Sequence, residues 1–135
     1  MLQLTRSTWA QMLGHAYDGL PDEACGLMAG PPGTNRCTVF YPCRNAAESS
    51  KIYTIDPKDY MKADRDAEQR GLELIGVMHS HTHTDAYPSP TDLAQAPDPN
   101  WHYVIVSLRS EAPVLRSYRI VEEQGAEEGV SVVGA

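Results

Sequence analysis

The sequence predicts an α/β fold in which helices flank a mixed central β-sheet. Short apolar runs that are typical of strands are interleaved along the chain with amphipathic stretches that are typical of helices. The run at 72–78 is largely apolar, which predicts a strand in the middle of the sheet. A length of 135 residues, with 41% hydrophobic and 21% charged residues, predicts one globular domain spanning 1–135.

The N-terminal region predicts a short strand followed by a core-facing helix. Residues 1–4 alternate weakly in hydrophobicity, as in a strand. Ser7 is the expected N-cap of a helix that runs to Asp18, and Gly19 is expected to end it. The apolar stripe of this helix, at i, i+3, i+4 and i+7, consists of Trp9, Met12, Leu13 and Ala16.

The rest of the chain predicts further strands and two further helices. Asp56 and Pro57 predict the N-cap and first position of a second helix, which Gly71 ends, and Ser89 opens a third. The narrow apolar stripe of the second helix consists of Tyr60, Ala63 and Ala67. The further predicted strands are residues 24–30, 37–41, 52–55, 72–78, 102–108 and 114–121. Residues 122–135 are predicted to form either an edge strand or a flexible tail.

Composition argues against several classes of function. A net charge of −7 argues against binding to the phosphate backbone of a nucleic acid. The chain has no apolar run of about 18 residues and no charged-then-apolar leader, so we expect no membrane partner and a cytoplasmic location. The cysteines at 25, 37 and 43 lack a metal-binding spacing and are expected to be reduced and buried. Cys25 is a conceivable nucleophile, but no positively charged neighbour would lower its pKa.

The stretch from Gly76 to Leu93 predicts a metal site. In an extended strand His79 and His81 project from the same face, so both rings can reach one ion, and a loop can return Asp92 to the same point. Three such ligands are what a catalytic zinc uses, with the fourth position left to water. The alternative is a chance cluster of histidines in a polar loop, next to an ordinary helix start.

The sequence allows two interpretations each for Ser89 and Glu23. Ser89 is the predicted N-cap of the third helix, with Asp92 at N3, and this role is compatible with metal binding because a cap fixes where Asp92 points. Glu23 lies at the entrance to the apolar run 24–30. It is either a solvated turn residue or the base that a metal hydrolase needs.

These residues resemble a known motif. Glu23, the His79-Ser80-His81 triplet, Ser89 and Asp92 match every position of the JAMM motif of MPN-domain zinc metallopeptidases, which remove ubiquitin-like proteins. Further strings resemble the CysO–cysteine peptidase branch of that family, over about residues 20–121. They are Pro21-Asp22-Glu23-Ala24-Cys25-Gly26, His79-Ser80-His81-Thr82, Ala86-Tyr87-Pro88-Ser89, His102-Tyr103-Val104 and Leu115-Arg116-Ser117-Tyr118-Arg119-Ile120.

The resemblance implies a cytidine-deaminase-like MPN fold and a role for each motif residue. One Zn²⁺ per chain would be held by His79, His81 and Asp92. Glu23 would accept a proton from the attacking water, and Ser89 would donate a hydrogen bond to the tetrahedral intermediate. The family leaves the position of His83 out of the site. By the period-two rule Ser80 points to the other face of the strand and is expected to support the site from there.

The resemblance also implies a substrate. Members of this branch release cysteine from the C-terminus of a ubiquitin-like sulfur-carrier protein, in a thiocarboxylate-dependent synthesis of cysteine. The Gly-Gly tail of such a carrier is expected to lie extended beside an exposed strand, with residues 46–51 as a flap over it. The alternatives are an isopeptidase that removes ubiquitin-like modifiers from lysines and a non-catalytic MPN scaffold. A zinc nucleobase deaminase needs His-x-Glu and Pro-Cys-x-x-Cys motifs that the chain lacks.

Overall fold

The protein is represented by a computed structural model that describes residues 1–134. Within them lie nine strands and three helices. The strands are β1 (Leu2–Thr5), β2 (Cys25–Gly30), β3 (Arg36–Cys37), β4 (Val39–Cys43), β5 (Glu73–His81), β6 (His102–Ser107), β7 (Val114–Val121), β8 (Gln124–Glu128) and β9 (Val130–Val133). The helices are α1 (Arg6–Asp18), α2 (Pro57–Gln69) and α3 (Pro90–Ala94).

The main sheet has six strands in the order β4-β2-β5-β6-β7-β8. Only the β5–β6 pair in it is parallel, and the other four pairs are antiparallel. This confirms the predicted mixed sheet, and β5 lies inside it between β2 and β6, as its apolar sequence predicts. A second sheet of three parallel strands has the order β3-β1-β9.

The main sheet separates two hydrophobic clusters, with a helix on each side. In β6 alternate residues point to opposite faces, so Val104 and Val106 belong to one cluster and Tyr103 and Ile105 to the other. The first cluster includes Met12 and Ala16 of α1, and the second includes Ala63 of α2. Neither α1 nor α2 exceeds 13 residues, and no helix within 1–134 has the length and hydropathy to span a bilayer.

The start of α1 differs from the sequence prediction. Thr5, and not Ser7, is the N-cap: its Oγ1 accepts the Thr8 backbone N–H at 3.2 Å. The chain enters the helix directly from β1, so the cap lies at the last residue of the strand. The buried stripe therefore includes Thr8, whose hydroxyl donates to the Thr5 carbonyl at 2.9 Å, while Trp9 is 37% exposed.

The predicted strand at 52–55 does not form. These residues make one isolated bridge, between Asn45 and Ile55, and the Ala46 N–H donates to the Thr54 carbonyl at 2.8 Å. The Ile52 carbonyl and the Thr54 N–H bond the Asn45 side chain instead of a neighbouring strand. The predicted strand at 37–41 is divided at Thr38, whose N–H donates to the Ala29 carbonyl at 2.9 Å. The part before Thr38 joins the small sheet, and the part after it joins the main sheet.

The C-terminal residues add a strand to each sheet. β8 pairs with β7 at the edge of the main sheet, and β9 pairs in parallel with β1. The strand β9 thus lies beside β1.

Candidate metal centre and active site

His79, His81 and Asp92 lie together at the end of β5. Both histidines project from one face of the strand and are 2–3% exposed, and Asp92 comes from the first turn of α3. The two Nε2 atoms are 3.2 Å apart, and each is 3.1 Å from Asp92 Oδ2. The structure therefore brings together the three donors that the sequence predicts as metal ligands, and we call them the triad.

The triad fits a divalent ion. Tetrahedral zinc with bonds of about 2.1 Å places neighbouring donors about 3.4 Å apart, close to the separations in the triad. His81 Nδ1 lies 2.7 Å from the Asp85 carbonyl oxygen, which can only accept, so Nδ1 carries a proton. In the neutral ring the Nε2 lone pair then faces Asp92 Oδ2, and a cation between them removes the repulsion. The three residues form a group that can hold a metal ion.

Asp92 is held as a carboxylate by its capping box. The Ser89 N–H donates to Asp92 Oδ2 at 2.9 Å, and the Asp92 N–H donates to Ser89 Oγ at 3.0 Å. Burial raises the pKa of Asp92, but hydrogen bonds from His79 and His81 outweigh it and hold that pKa well below its ordinary value. The Ser89 oxygen serves here as an acceptor, which leaves the hydroxyl proton for another partner.

The two histidines differ in their protonation. Burial of His79 lowers the pKa of its ring and favours the neutral form that binds metals. For His81, burial also lowers the pKa, but hydrogen bonds to Asp92 and to the Asp85 carbonyl raise it overall. Without a metal, His81 is thus the member of the triad that takes up a proton most readily.

Glu23 is a buried carboxyl group beside the triad. It is 4% exposed, and Oε1 has no hydrogen-bond partner within residues 1–134. Cys25 lies opposite His79 in the β2–β5 ladder, and the Ser80 N–H donates to the Ala24 carbonyl at 2.9 Å, so the residues just before β2 run beside the end of β5. Burial raises the pKa of Glu23 from 4.5 to about 7, partly opposed by the charge of His81 and reinforced by that of Asp92. A group with this pKa exchanges protons near neutral pH.

Three neighbouring residues lie outside the triad. Ser80 points to the opposite face and its Oγ accepts the Ala24 N–H at 2.7 Å, so it holds the backbone beside Glu23. His83 is exposed and its Nδ1 lies 2.8 Å from the Thr82 hydroxyl. Burial raises the pKa of the Cys25 thiol to about 12, which leaves no thiolate to act as a nucleophile at neutral pH.

A largely apolar cavity opens beside Asp92. Its volume is about 210 Å³, and its walls include Leu27 of β2, Tyr60 of α2 and the side chains of Tyr53 and Trp101. Apolar pockets with a few polar groups at one end are where small ligands and peptide side chains bind. Of the triad, Asp92 is the member that lines this cavity.

The sequence does not mark two residues of this region as part of the site. Tyr53, in the strand that the sequence predicts at 52–55, stacks on His79, with ring centroids 4.3 Å apart. Asn45, to which the sequence analysis gives no role, is 9% exposed and hydrogen-bonds the backbone on both sides of Tyr53. A buried asparagine after a strand is a signal for side-chain-to-backbone bonding in a turn, whereas nothing local marks Tyr53.

Known proteins resemble this chain closely. The sequence profile of the Prok-JAB family, described as prokaryotic homologs of the JAB domain, matches residues 5–121. The chain is 44% identical over 123 residues to the CysO-cysteine peptidase of Mycobacterium tuberculosis, covering 90% of this chain and 84% of that protein. It is 33% identical over 111 residues to the desampylase of Haloferax volcanii, covering 78% of this chain and 80% of the relative.

Solved structures share the fold. A protein from Desulfitobacterium hafniense superimposes with a TM-score of 0.91 at 33% identity, covering 100% of this chain and 94% of that one. A JAB1/MPN domain protein from Archaeoglobus fulgidus superimposes with a TM-score of 0.65 at 20% identity, covering 98% and 97%, which is a likeness of fold. From the profile match and the peptidase relative together, we conclude that the chain belongs to the Prok-JAB family and is a JAMM-type peptidase.

Proposed function

We propose that this protein is a zinc-dependent hydrolase that releases cysteine from the C-terminus of a ubiquitin-like sulfur-carrier protein, as a step in cysteine biosynthesis. The observation that carries the proposal is the convergence of His79, His81 and Asp92 beside the buried carboxyl group of Glu23. The identity of 44% to a CysO-cysteine peptidase supports the choice of substrate.

The chain's own residues divide the work of hydrolysis. His79, His81 and Asp92 would hold one Zn²⁺ per chain, which when bound would lower the pKa of water and polarise the scissile carbonyl. Glu23, whose buried carboxyl group lies beside the triad, accepts a proton from the attacking water and returns it to the leaving amine. The Ser89 hydroxyl donates a hydrogen bond to the developing oxyanion, an effect worth about 3 kcal/mol in comparable sites.

The segment 46–51 borders this site, and this position supports the proposal that it forms a flap. The Ser49 carbonyl accepts the Glu23 N–H at 2.8 Å, and the Ser50 carbonyl accepts the Thr82 hydroxyl at 3.2 Å. One loop is thus hydrogen-bonded both to the backbone of Glu23 and to Thr82, the residue after His81. An extended Gly-Gly tail has no side chains to obstruct a narrow passage under such a loop.

The location in the cytoplasm is part of the same proposal. Cys25, Cys37 and Cys43 are all buried free thiols. Cysteines that stay unpaired are typical of proteins in a reducing compartment such as the cytoplasm.

An isopeptidase that removes ubiquitin-like modifiers from lysines would use the same site, so products must separate the two functions. The purified protein is analysed for metal and incubated with a carrier–cysteine conjugate and with a lysine-linked conjugate, and the products are weighed by mass spectrometry. We expect about one zinc per chain and release of cysteine. Glu23→Gln should retain zinc and lose turnover. Cleavage of the lysine link alone would reject the proposed substrate, and absence of bound zinc would reject the mechanism.

A further inference from the structure

The two histidines of the triad are oriented by different contacts. A metal-binding histidine is usually fixed by a hydrogen bond from its second ring nitrogen, and His81 has one, from Nδ1 to the Asp85 carbonyl at 2.7 Å. His79 has none: its Nδ1 is buried without a hydrogen-bond partner within residues 1–134. Because χ2 of a histidine has broad minima, the ring of His79 needs a second contact, beside that of Nε2 with Asp92, to fix its plane.

A stacked aromatic ring supplies the contact that fixes the His79 imidazole. The Tyr53 ring lies face to face with the His79 imidazole, with centroids 4.3 Å apart and an angle of 20° between the planes. Rotation of the imidazole about χ2 would turn its edge into the Tyr53 ring. Burial raises the pKa of the Tyr53 hydroxyl above its usual range, so Tyr53 stays neutral and acts through its ring face.

Tyr53 is itself held by the side chain of Asn45. Asn45 Nδ2 donates to the Ile52 carbonyl at 3.0 Å, and Oδ1 accepts the Thr54 N–H at 3.0 Å, so one amide fixes the backbone on both sides of Tyr53. The same Nδ2 donates to the Glu23 carbonyl at 2.9 Å. One buried amide therefore sets the positions of both the proposed base and the ring that orients His79.

We propose that Tyr53 is a positioning residue, which by stacking replaces the missing hydrogen bond of His79 and so sets the affinity and geometry of the metal site. Asn45 places Tyr53 for this role. The inference rests on the proposed function of the triad as a zinc site. It assigns the extended segment 52–55 a part in metal binding without any ligand atom of its own.

Three variants test this inference: Tyr53→Phe, Tyr53→Leu and, as a matched control, Tyr60→Leu. Tyr60 lines the same cavity but stacks on Trp101 instead of a histidine. Zinc affinity is measured by competition with a chromophoric chelator, and the visible spectrum of the cobalt-substituted protein reports ligand geometry. We expect Tyr53→Phe and Tyr60→Leu to bind zinc within about twofold of the wild type. Tyr53→Leu should weaken binding at least tenfold, the lower end of losses for groups that orient ligands, and change the cobalt spectrum.

Denaturation of each metal-free variant shows whether it is folded. If Tyr53→Leu disturbs folding, Tyr53→Met fills the space with a flexible chain and no flat ring, and the same loss of affinity is expected. Zinc affinity and a cobalt spectrum like the wild type in a folded variant without the ring would overturn the inference and leave the proposed function intact. A wild-type protein that binds no zinc would instead overturn the proposed function.

Discussion

At the scale of single residues, Glu23 is a buried carboxyl group that the fold does not fully pair with hydrogen-bond donors. Its carboxyl group is 4% exposed and one oxygen lacks a partner within residues 1–134. A carboxyl group placed for stability alone would be paired or left in water. The structure instead maintains a costly environment at this position, as is common where a pKa must suit a reaction.

This environment predicts a pH dependence of stability in the metal-free protein. The pKa of Glu23 is raised from 4.5 to about 7 on folding, so the unfolded chain releases its proton first as the pH rises. The contribution of Glu23 to the free energy of unfolding is fully present below pH 4.5. It is lost as the pH rises through about 7, and the free energy of unfolding falls by about 3 kcal/mol. Glu23→Gln removes that loss. Its free energy of unfolding should therefore exceed that of the wild type above pH 7 and converge with it in acid.

Chemical denaturation in the presence of a chelator, between pH 5 and 8.5, measures this difference. Glu111→Gln is the matched control, because Glu111 is exposed on a turn and should change stability little at any pH. Parallel curves for the wild type and Glu23→Gln across this range would contradict a raised pKa at Glu23.

At the scale of elements, the first helix offers a direct comparison of two possible caps. Thr5 Oγ1 accepts the Thr8 N–H, whereas Ser7, the cap that the sequence predicts, lies exposed inside the first turn. Thr5→Ala should lower the free energy of unfolding by about 1 kcal/mol through the lost cap. Ser7→Ala should change it by less than about 0.5 kcal/mol. Urea denaturation of both variants checks this, and a larger loss for Ser7→Ala would place the cap where the sequence alone suggests it.

The elements also show which parts of the fold are predictable from local sequence. The strand at 72–78 and the helix starts at Asp56 and Ser89 follow from apolar runs and caps, which are local signals, and the structure contains them. The segment 52–55 consists of β-branched and aromatic residues typical of a strand, but the side chain of Asn45 bonds two of its backbone groups. Hydrogen bonds between a distant side chain and the backbone leave no periodic trace in the sequence.

The candidate site divides in the same way. The residues that we propose to carry the chemistry, such as His79 and Glu23, are marked in the sequence because a motif specifies their types and spacing. Tyr53 contributes a ring face, and any aromatic residue in a strand-like run has the same local appearance. Its place against His79 follows from the path of the chain after Asn45, which depends on tertiary contacts.

At the scale of the whole molecule, the last strands join the chain's ends to its centre. Glu128 of β8 accepts hydrogen bonds from His102 Nδ1 of β6 at 2.6 Å and from the Ser117 hydroxyl of β7 at 2.8 Å. It also lies 4.0 Å from the amino group of Met1. These contacts, with the β1–β9 pairing, support our proposal that residues 1–135 act as one domain.

The adjacent residues Glu127 and Glu128 allow this role to be tested. Glu127 pairs with Arg116 at 3.0 Å where both side chains are about half exposed, so Glu127→Gln should change stability by less than about 0.5 kcal/mol.

Burial raises the pKa of Glu128, but the hydrogen bonds from His102 and Ser117 outweigh it and lower that pKa overall. Glu128→Gln keeps the shape and removes the charge, and should cost about 2 kcal/mol at pH 7. Because the folded pKa is depressed, the contribution of Glu128 is present above its unfolded pKa and is lost as the pH falls through the folded value. The difference between Glu128→Gln and the wild type in urea denaturation should therefore shrink in acid, and equal effects of the two substitutions at pH 7 would contradict a joining role for Glu128.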